Sequence, residues 1–257
     1  MLKAVLFDLD NTLIDWETTG PWEEEVARRF ATLYRVIGER VQPWDGMTPE
    51  DVQACFIEEM NEAWAEANRT LVPVDHMRVL RSALVKCGVP EAHLTAELLD
   101  EAYDWQPNAN LTIYPEVPEV LETLRAHGLA LGIITNASQS MTVRDRELIH
   151  VRILDYFPAC RISAIDAGYL KPDPRIFQVG LDRLGVTAEQ AIYVGDHLHA
   201  DILGAQSAGM RAVWRSNGGQ IPPDVDIQPD GIISDLRELL PLLDQWYPGW
   251  RNGHIAR

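Results

Sequence analysis

Five short apolar stretches, rich in β-branched residues and bounded by turn signals, limit what this chain can become: LKAVLF (2–7), LALGIIT (129–135), CRISAI (160–165), AIYVG (191–195) and RAVW (211–214). Such runs read as buried parallel strands. Between the later ones lie helical segments: PEVLETLRAHG stopping on Gly128, SMTVRDRELIH, DPRIFQVGLDRLG stopping on Gly185, and ADILGAQSAG stopping on Gly209. Glycine just past the last turn is the expected helix stop. Strand and helix in alternation predict an α/β fold, a doubly wound parallel sheet.

Residues 15–110 break this rhythm. They hold no convincing strand and instead a succession of helical patterns. Pro21, with Glu23, Glu24 and Glu25, opens a first helix whose inner face carries Val26, Phe30, Leu33 and Ile37, ahead of Gly38. Thr48, Pro49 and Asp51 start a second, with Val52, Phe56, Ala63 and Ala67 inward. Asp75 caps a third, with Met77, Leu80, Leu84 and Cys87 inward, and a fourth runs from Thr95 to Trp105. The expected organisation is a core of residues 1–14 and 111–257 with a helical domain, 15–110, inserted after the first strand.

The 257 residues are 46% hydrophobic and 24% charged, which suits a soluble globular chain with one sizeable and one smaller domain. Only Lys3 precedes Asp8, which interrupts the first apolar run, so no signal-peptide core is read and a cytoplasmic location is expected. No run approaches the length of a membrane span. Cys55, Cys87 and Cys160 are widely spaced and match no CxxC pattern; they read as reduced thiols rather than disulfides or zinc ligands. A net charge of -17 repels phosphate backbones and anionic bilayers, which argues against a nucleic-acid polymer or a membrane as partner. A small anionic substrate would need a local positive site. Lysine is rare here, with only Lys3, Lys86 and Lys171 in the chain, so a lysine in a motif carries information.

In open α/β sheets ligands bind at the carboxyl ends of the strands. The residues just beyond successive strands are Asp8 and Asp10, then Thr135 and Asn136, then Lys171 in GYLKPDP, then Asp196 in VGDHLHAD. Asp8 and Asp10, two apart, would face each other on a continued strand and repel, unless one loses its charge or a cation intervenes. An Asx-rich turn explains any one of these clusters, but not acids, a hydroxyl and a rare lysine converging on one crevice. Asp8, Asp10 and Asp196, with Asp201 five residues further on, make a hard oxygen-rich site suited to Mg²⁺ rather than zinc. Such an ion relieves the repulsion and can hold a phosphate oxygen, while Thr135 and Lys171 offer a hydrogen bond and a positive charge to the others.

The ordered set DLDNT, ITNAS, KPDP and GDHLHAD resembles the four motifs of the haloacid dehalogenase-like hydrolase superfamily, over the whole chain. The resemblance implies a Rossmann-like core, a mobile helical cap and a phosphoaspartate intermediate. It makes Asp8 the nucleophile and Asp10 the general acid and base, with Thr135, Asn136 and Lys171 at the phosphoryl group. Asp8, the Asp10 main-chain carbonyl and Asp196 would bind Mg²⁺, with Asp201 ordering the surroundings of the metal. Dehalogenases of the superfamily lack an acid at the Asp10 position, because a halide leaves without a proton; DLDNT therefore favours phosphate esters. Asn11 stands where many relatives have glycine, and both tolerate left-handed backbone.

Other residues carry competing readings. His197 and His199 are read as loop or helix-start residues rather than ligands, since Mg²⁺ prefers oxygen. Of the tryptophans in or beside the insertion, Trp16, Trp22, Trp44, Trp64 and Trp105, most are assigned to the helical core rather than to an aromatic wall for the leaving group. Trp16, at the hinge and close to both aspartates, is the specificity candidate. Arg28, Arg35, Arg69 and Arg78 are candidates for a second anionic group or simply solvated. Lys86 is the only insertion lysine available for phosphonate chemistry. The tail from Trp246 either frays or covers a subunit contact, and a monomer and a homodimer both remain open. The reading is a Mg²⁺-dependent phosphatase for a small phosphorylated metabolite. Its rivals are a phosphomutase and a non-catalytic phosphate-binding or regulatory protein.

Overall fold

The computed structural model describes residues 1–19, 22–41 and 46–252, without the Trp22 side chain. The expectations resting on Pro21, on Trp44, on the Trp22 side chain and on residues 253–257 of the tail lie outside the described residues. The chain opens with β1 (Ala4–Phe7) and β2 (Ile14–Asp15), then runs through α1 (Trp22–Arg40), α2 (Pro49–Thr70), α3 (His76–Lys86) and α4 (Ala96–Tyr103). It returns through β3 (Thr112–Ile113), α5 (Val117–Ala126), β4 (Ala130–Thr135), α6 (Met141–His150), β5 (Cys160–Ser163), α7 (Ala164–Ala167) and α8 (Pro174–Leu184). Then come β6 (Ala191–Gly195), a π-helical turn (Leu198–Leu203), α9 (Gly204–Ser207), β7 (Arg211–Arg215), β8 (Gly231–Ile233) and α10 (Leu239–Trp246).

Six strands form one parallel sheet in the order β5-β4-β1-β6-β7-β8. β1 lies centrally because every residue from Ala4 to Phe7 is buried, and alternate residues serve opposite layers. Ala4 and Leu6 join Ile134, Tyr193, Ile176 and Phe177 beneath α8, while Val5 and Phe7 join Ile133, Val194, Val120 and Leu124 beneath α5. With layers on both faces, a strand gains nothing from polar alternation, which is why the sequence shows continuous apolar runs.

The helical cap has its own packing. Phe30 of α1 meets Phe56 of α2 at 5.2 Å between ring centres, and both approach Tyr103 of α4. α2 begins at Thr48, whose side chain accepts from Asp51 N while the Asp51 carboxylate accepts from Thr48 N. Asp75 caps α3 by accepting from Arg78 N. β2 and β3 pair antiparallel where the chain leaves and re-enters the core, Ile14 opposite Ile113.

Local signals mislead in a few places. α1 does not stop at Gly38 but continues to Arg40, with Val41 N still donating to Ile37 O. A glycine inside a helix costs about 1 kcal/mol, and burying Val36, Ile37 and Val41 on either side of it exceeds that. The third strand ends at Ser163, whose hydroxyl accepts from Asp166 N and turns the chain into α7. The segment ending on Gly209 begins as a π-helical turn. β8 and the β2/β3 ribbon are two or three residues long, too short to carry a period. The three cysteines are free, Cys87 and Cys160 buried and Cys55 half-buried. Among the described residues no helix is long and apolar enough to cross a membrane.

Phe177, fully buried on α8, stands edge-on to Tyr193 with centroids 4.9 Å apart. Phe177→Ala is expected to cost about 3–5 kcal/mol of unfolding free energy, measured by urea titration.

Candidate active site

The site lies where β1, β4 and β6 end and the KPDP turn crosses them. Asp8 extends β1 by one hydrogen bond, its N–H donating to Val194 O at 2.8 Å. The chain then turns sharply: Asn11 takes φ 56°, the left-handed backbone expected of it. That turn sends the two aspartates to different partners. Asp8 Oδ1 accepts from Lys171 Nζ at 2.6 Å, whereas Asp10 Oδ1 accepts from Arg144 Nη2 at 2.6 Å and Trp16 Nε1 at 2.7 Å. The repulsion between the paired acids is met by two protein cations, one for each.

Lys171 is the hub. Its ammonium is buried within hydrogen-bond distance of four acceptors, Asp8 Oδ1 and Asp201 Oδ1 at 2.6 Å, Tyr193 Oη at 3.0 Å and Ile134 O at 3.1 Å, the last also accepting from the Tyr193 hydroxyl. Burial would strip its proton, but the charges of Asp201 and Asp8 outweigh that and hold its pKa well above the ordinary lysine value. Asn136 clamps the main chain of this residue from both sides, accepting from Lys171 N at 2.8 Å and donating to Lys171 O at 3.0 Å. The Asn136 side chain, expected at the phosphate, is thus occupied with positioning lysine. Thr135, at the end of β4, turns its hydroxyl to Asp10 Oδ2 at 3.4 Å.

Asp196 lies just beyond β6, its carbonyl accepting from Trp214 Nε1 at 2.7 Å. Asp201 sits on the π-helical turn, where Oδ2 accepts from His197 N at 2.9 Å. His197 caps that turn, its Nδ1 accepting from Ala200 N at 3.1 Å, and His199 is exposed. One carboxylate oxygen each from Asp8, Asp196 and Asp201 lies within 4.8 Å of the others. Burial, reinforced by neighbouring Asp201, pushes the Asp196 carboxyl up to about 6; burial also raises Asp8 well above its usual value despite Lys171. Three hard oxygen donors, two of them with raised carboxyls, form a set that a hard divalent cation would relieve, so Mg²⁺ fits these residues. Asp10 differs. Burial opposes its charge, but the Arg144 guanidinium and the hydrogen bonds of Trp16 and Arg144 hold it below the usual carboxylate range.

A cavity of about 370 Å³ opens over these groups, with Trp64 of α2 reaching it from the cap. A second, of about 490 Å³, adjoins it and shares Ser138 and Gln139. The cap lines it with His76, Tyr103 and Trp105, and α6 with Thr142 and Arg146. His76 N donates to Ser138 O at 3.1 Å, and the Gln139 amide lies 3.2 Å from His76 Nδ1. Burial, with Arg29 nearby, pulls the His76 imidazole down to about 4, so it faces this space uncharged at neutral pH.

Of the described tryptophans, Trp16 binds Asp10, and Trp64 and Trp105 pack against the cap core while each lines one of the two cavities. Arg28, Arg35 and Arg69 pair with acids of their own helices at the surface, Arg78 is exposed, and Lys86 pairs with Glu59. Sequence reasoning missed Arg144, Glu147 and Tyr193. A signal for the first two existed: they fall on the same face of α6 as the buried Met141 and Leu148, where a charged pair needs a reason.

Gly195 makes the hub possible, since a Cβ there would stand 2.4 Å from Asp201 Cγ. Gly195→Ala must displace Asp201 from Lys171; we expect a loss of about 1–3 kcal/mol in stability, read by thermal denaturation, with turnover falling further.

Comparison with known proteins agrees with this geometry. The family described as haloacid dehalogenase-like hydrolase matches residues 2–209. A phosphoserine phosphatase of Thermus thermophilus is 37% identical over 93% of this chain and 98% of its own length. A glyceraldehyde 3-phosphate phosphatase of Methanopyrus kandleri is 34% identical over 95% and 97%. The crystal structure of a 2-haloacid dehalogenase from Pseudomonas syringae is similar with a TM-score of 0.68 and 33% identity, over 96% of this chain and 100% of that one. Fold, motifs and relatives agree along nearly the whole length, and the chain is a hydrolase belonging to the haloacid dehalogenase-like family.

Proposed function

We propose that this hydrolase is a Mg²⁺-dependent phosphoric monoester phosphatase acting on a small phosphorylated metabolite through a phosphoaspartate on Asp8. The observation that carries this reading is the second acid, Asp10, two residues after Asp8 and opening on the same cavity. A halide would leave without a proton and would give Asp10 nothing to do; an alkoxide needs one. The dehalogenase fold similarity is thus outweighed at this position.

In the proposed reaction Asp10, a carboxylate in the resting site, first takes up a proton from solvent; Asp8 then attacks phosphorus, the bond from phosphorus to the ester oxygen breaks, and Asp10 gives that oxygen its proton. Water then attacks the acyl phosphate, Asp10 takes the proton, and phosphate leaves with Asp8 restored. Lys171 fixes Asp8 and adds positive charge beside the phosphoryl oxygens, with Thr135 donating to one of them. Asn136 serves the same end by holding the Lys171 main chain. Asp8, Asp196 and the Asp10 main-chain carbonyl would hold Mg²⁺, with Asp201 beside them, and when bound the ion supplies charge neutralisation for the phosphoryl oxygens. The leaving group is assigned to the larger cavity between cap and core, with Trp16, which binds Asp10, as a specificity candidate. The two phosphatase relatives carry different substrate names, so the identity of the ester rests on a substrate panel. A mutase would return the phosphoryl group to an acceptor alcohol, and released phosphate distinguishes the two.

Phosphate release from a panel of phosphomonoesters should require Mg²⁺, stop with EDTA, and fall by at least about 10³-fold in Asp8→Asn. Folded protein that releases phosphate from no ester would refute this reading. Because the Asp196 carboxyl ionises only near pH 6, protons compete with the cation below that value. The rise in melting temperature on adding Mg²⁺ should be larger at pH 7.5 than at pH 5 and should vanish in Asp196→Asn.

A further inference from the structure

Arg144 is a buried cation at the site that the motifs do not explain. It projects from the second turn of α6, its side chain only 7% exposed, and lines the cavity over Asp8 and Lys171. It pairs with two acids: Nη2 donates to Asp10 Oδ1 at 2.6 Å, and Nε stands 2.9 Å from Glu147 Oε2 as an ion pair without hydrogen-bond alignment. Glu147 is itself buried, with a side chain 1% exposed. Burial pushes the Glu147 carboxyl up, opposed by Arg144 and, from the cap side, by Trp105 and Arg29. An isolated charge at this depth costs several kcal/mol, so neither Arg144 nor Glu147 is a solvated helix residue that drifted inward.

The geometry at Asp10 gives the pair a task. Oδ1 receives two strong donors, Arg144 at 2.6 Å and Trp16 at 2.7 Å, whereas among the described residues Oδ2 has only the long contact from Thr135 at 3.4 Å. Thr135 belongs to the phosphate end of the cavity. A carboxylate pinned at one oxygen by two donors from different directions cannot rotate, so its other oxygen is presented to the cavity in one fixed orientation. We propose that Arg144, anchored by Glu147, is a positioning residue that locks Asp10 with Oδ2 toward the leaving-group oxygen. This rests on the phosphatase reading above, in which Asp10 moves the proton.

A phosphoryl-binding arginine and a proton-positioning arginine differ in how their loss depends on the leaving group. The test compares kcat/KM for the best alkyl phosphate of the panel with that for p-nitrophenyl phosphate, whose leaving group departs without a proton. In Arg144→Ala the alkyl ester should lose about 100-fold and p-nitrophenyl phosphate less than about 10-fold. Asp10→Asn added to Arg144→Ala should then cost the alkyl ester little more, because the two act as a unit. Arg144→Lys keeps a charge opposite Glu147, and so the fold, yet is too short and unforked to span both acids; it should show the same selectivity on a smaller scale. Equal losses on both esters in the folded Lys variant, or a rise confined to KM, would overturn the proposal and make Arg144 a binding or purely structural residue. A wild type inactive on both esters would instead overturn the phosphatase reading beneath it.

Discussion

The buried ammonium of Lys171 is the contact around which the whole site is assembled. It joins three elements remote in sequence: the end of β1 through Asp8, the end of β4 through Ile134 O, and the turn after β6 through Asp201. Removing any one partner would leave a charge in the interior with too few hydrogen bonds, a far costlier state than a missing surface pair. This explains several otherwise separate features: the reciprocal Asn136 bonds to the lysine main chain, the phenol of Tyr193 beneath it, and a glycine at position 195 where no side chain fits.

Around that hub the two aspartates of one turn are placed in unlike surroundings. Asp8 shares its space with two further carboxylates, and burial keeps its pKa high; Asp10 is gripped by an arginine and an indole and stays low. Environments that drive two like groups apart are the physical basis for giving them different tasks. Under the proposed mechanism Asp8 is the nucleophile beside Lys171, while Asp10, held charged in the resting site by Arg144 and Trp16, is ready as the base for the attacking water and must gain a proton before it can serve the leaving group. The mechanism also gives a reason for an acid at position 10 in a chain whose fold is shared with a 2-haloacid dehalogenase.

The cap meets this machinery through polar contacts as well as apolar ones. His76 N meets Ser138 O, and Leu170 N meets Leu71 O. The interior of the cap holds an aromatic group of Phe30, Phe56 and Tyr103, and its buried apolar residues belong to one cluster with those beside the sheet, Ala4, Leu6 and Ile134 among them. The larger cavity lies between cap and core and is lined from both.

The parallel sheet, the helical insertion and most of the site could be read from the residues alone, because each rests on a local rule. Buried strands read as apolar runs, helices stop at Gly128 and Gly185, and a sheet of this kind gathers the residues beyond its strand ends at one edge. Asp8, Asp10, Thr135, Lys171 and Asp196 were legible for that reason. Partners far apart in the chain were not legible and emerged only from the folded arrangement. That Asn136, which lines the cavity, also holds the lysine main chain depends on a turn 35 residues away, and that Asp10 is met by Arg144 depends on a helix 134 residues away. One arginine among nineteen carries no local mark of burial beyond the face it occupies, and α1 ran through Gly38 because burial of its neighbours outweighed a helix-breaking preference. Pairwise contacts of this kind are set by how layers pack, and packing is not a property of any single stretch of sequence.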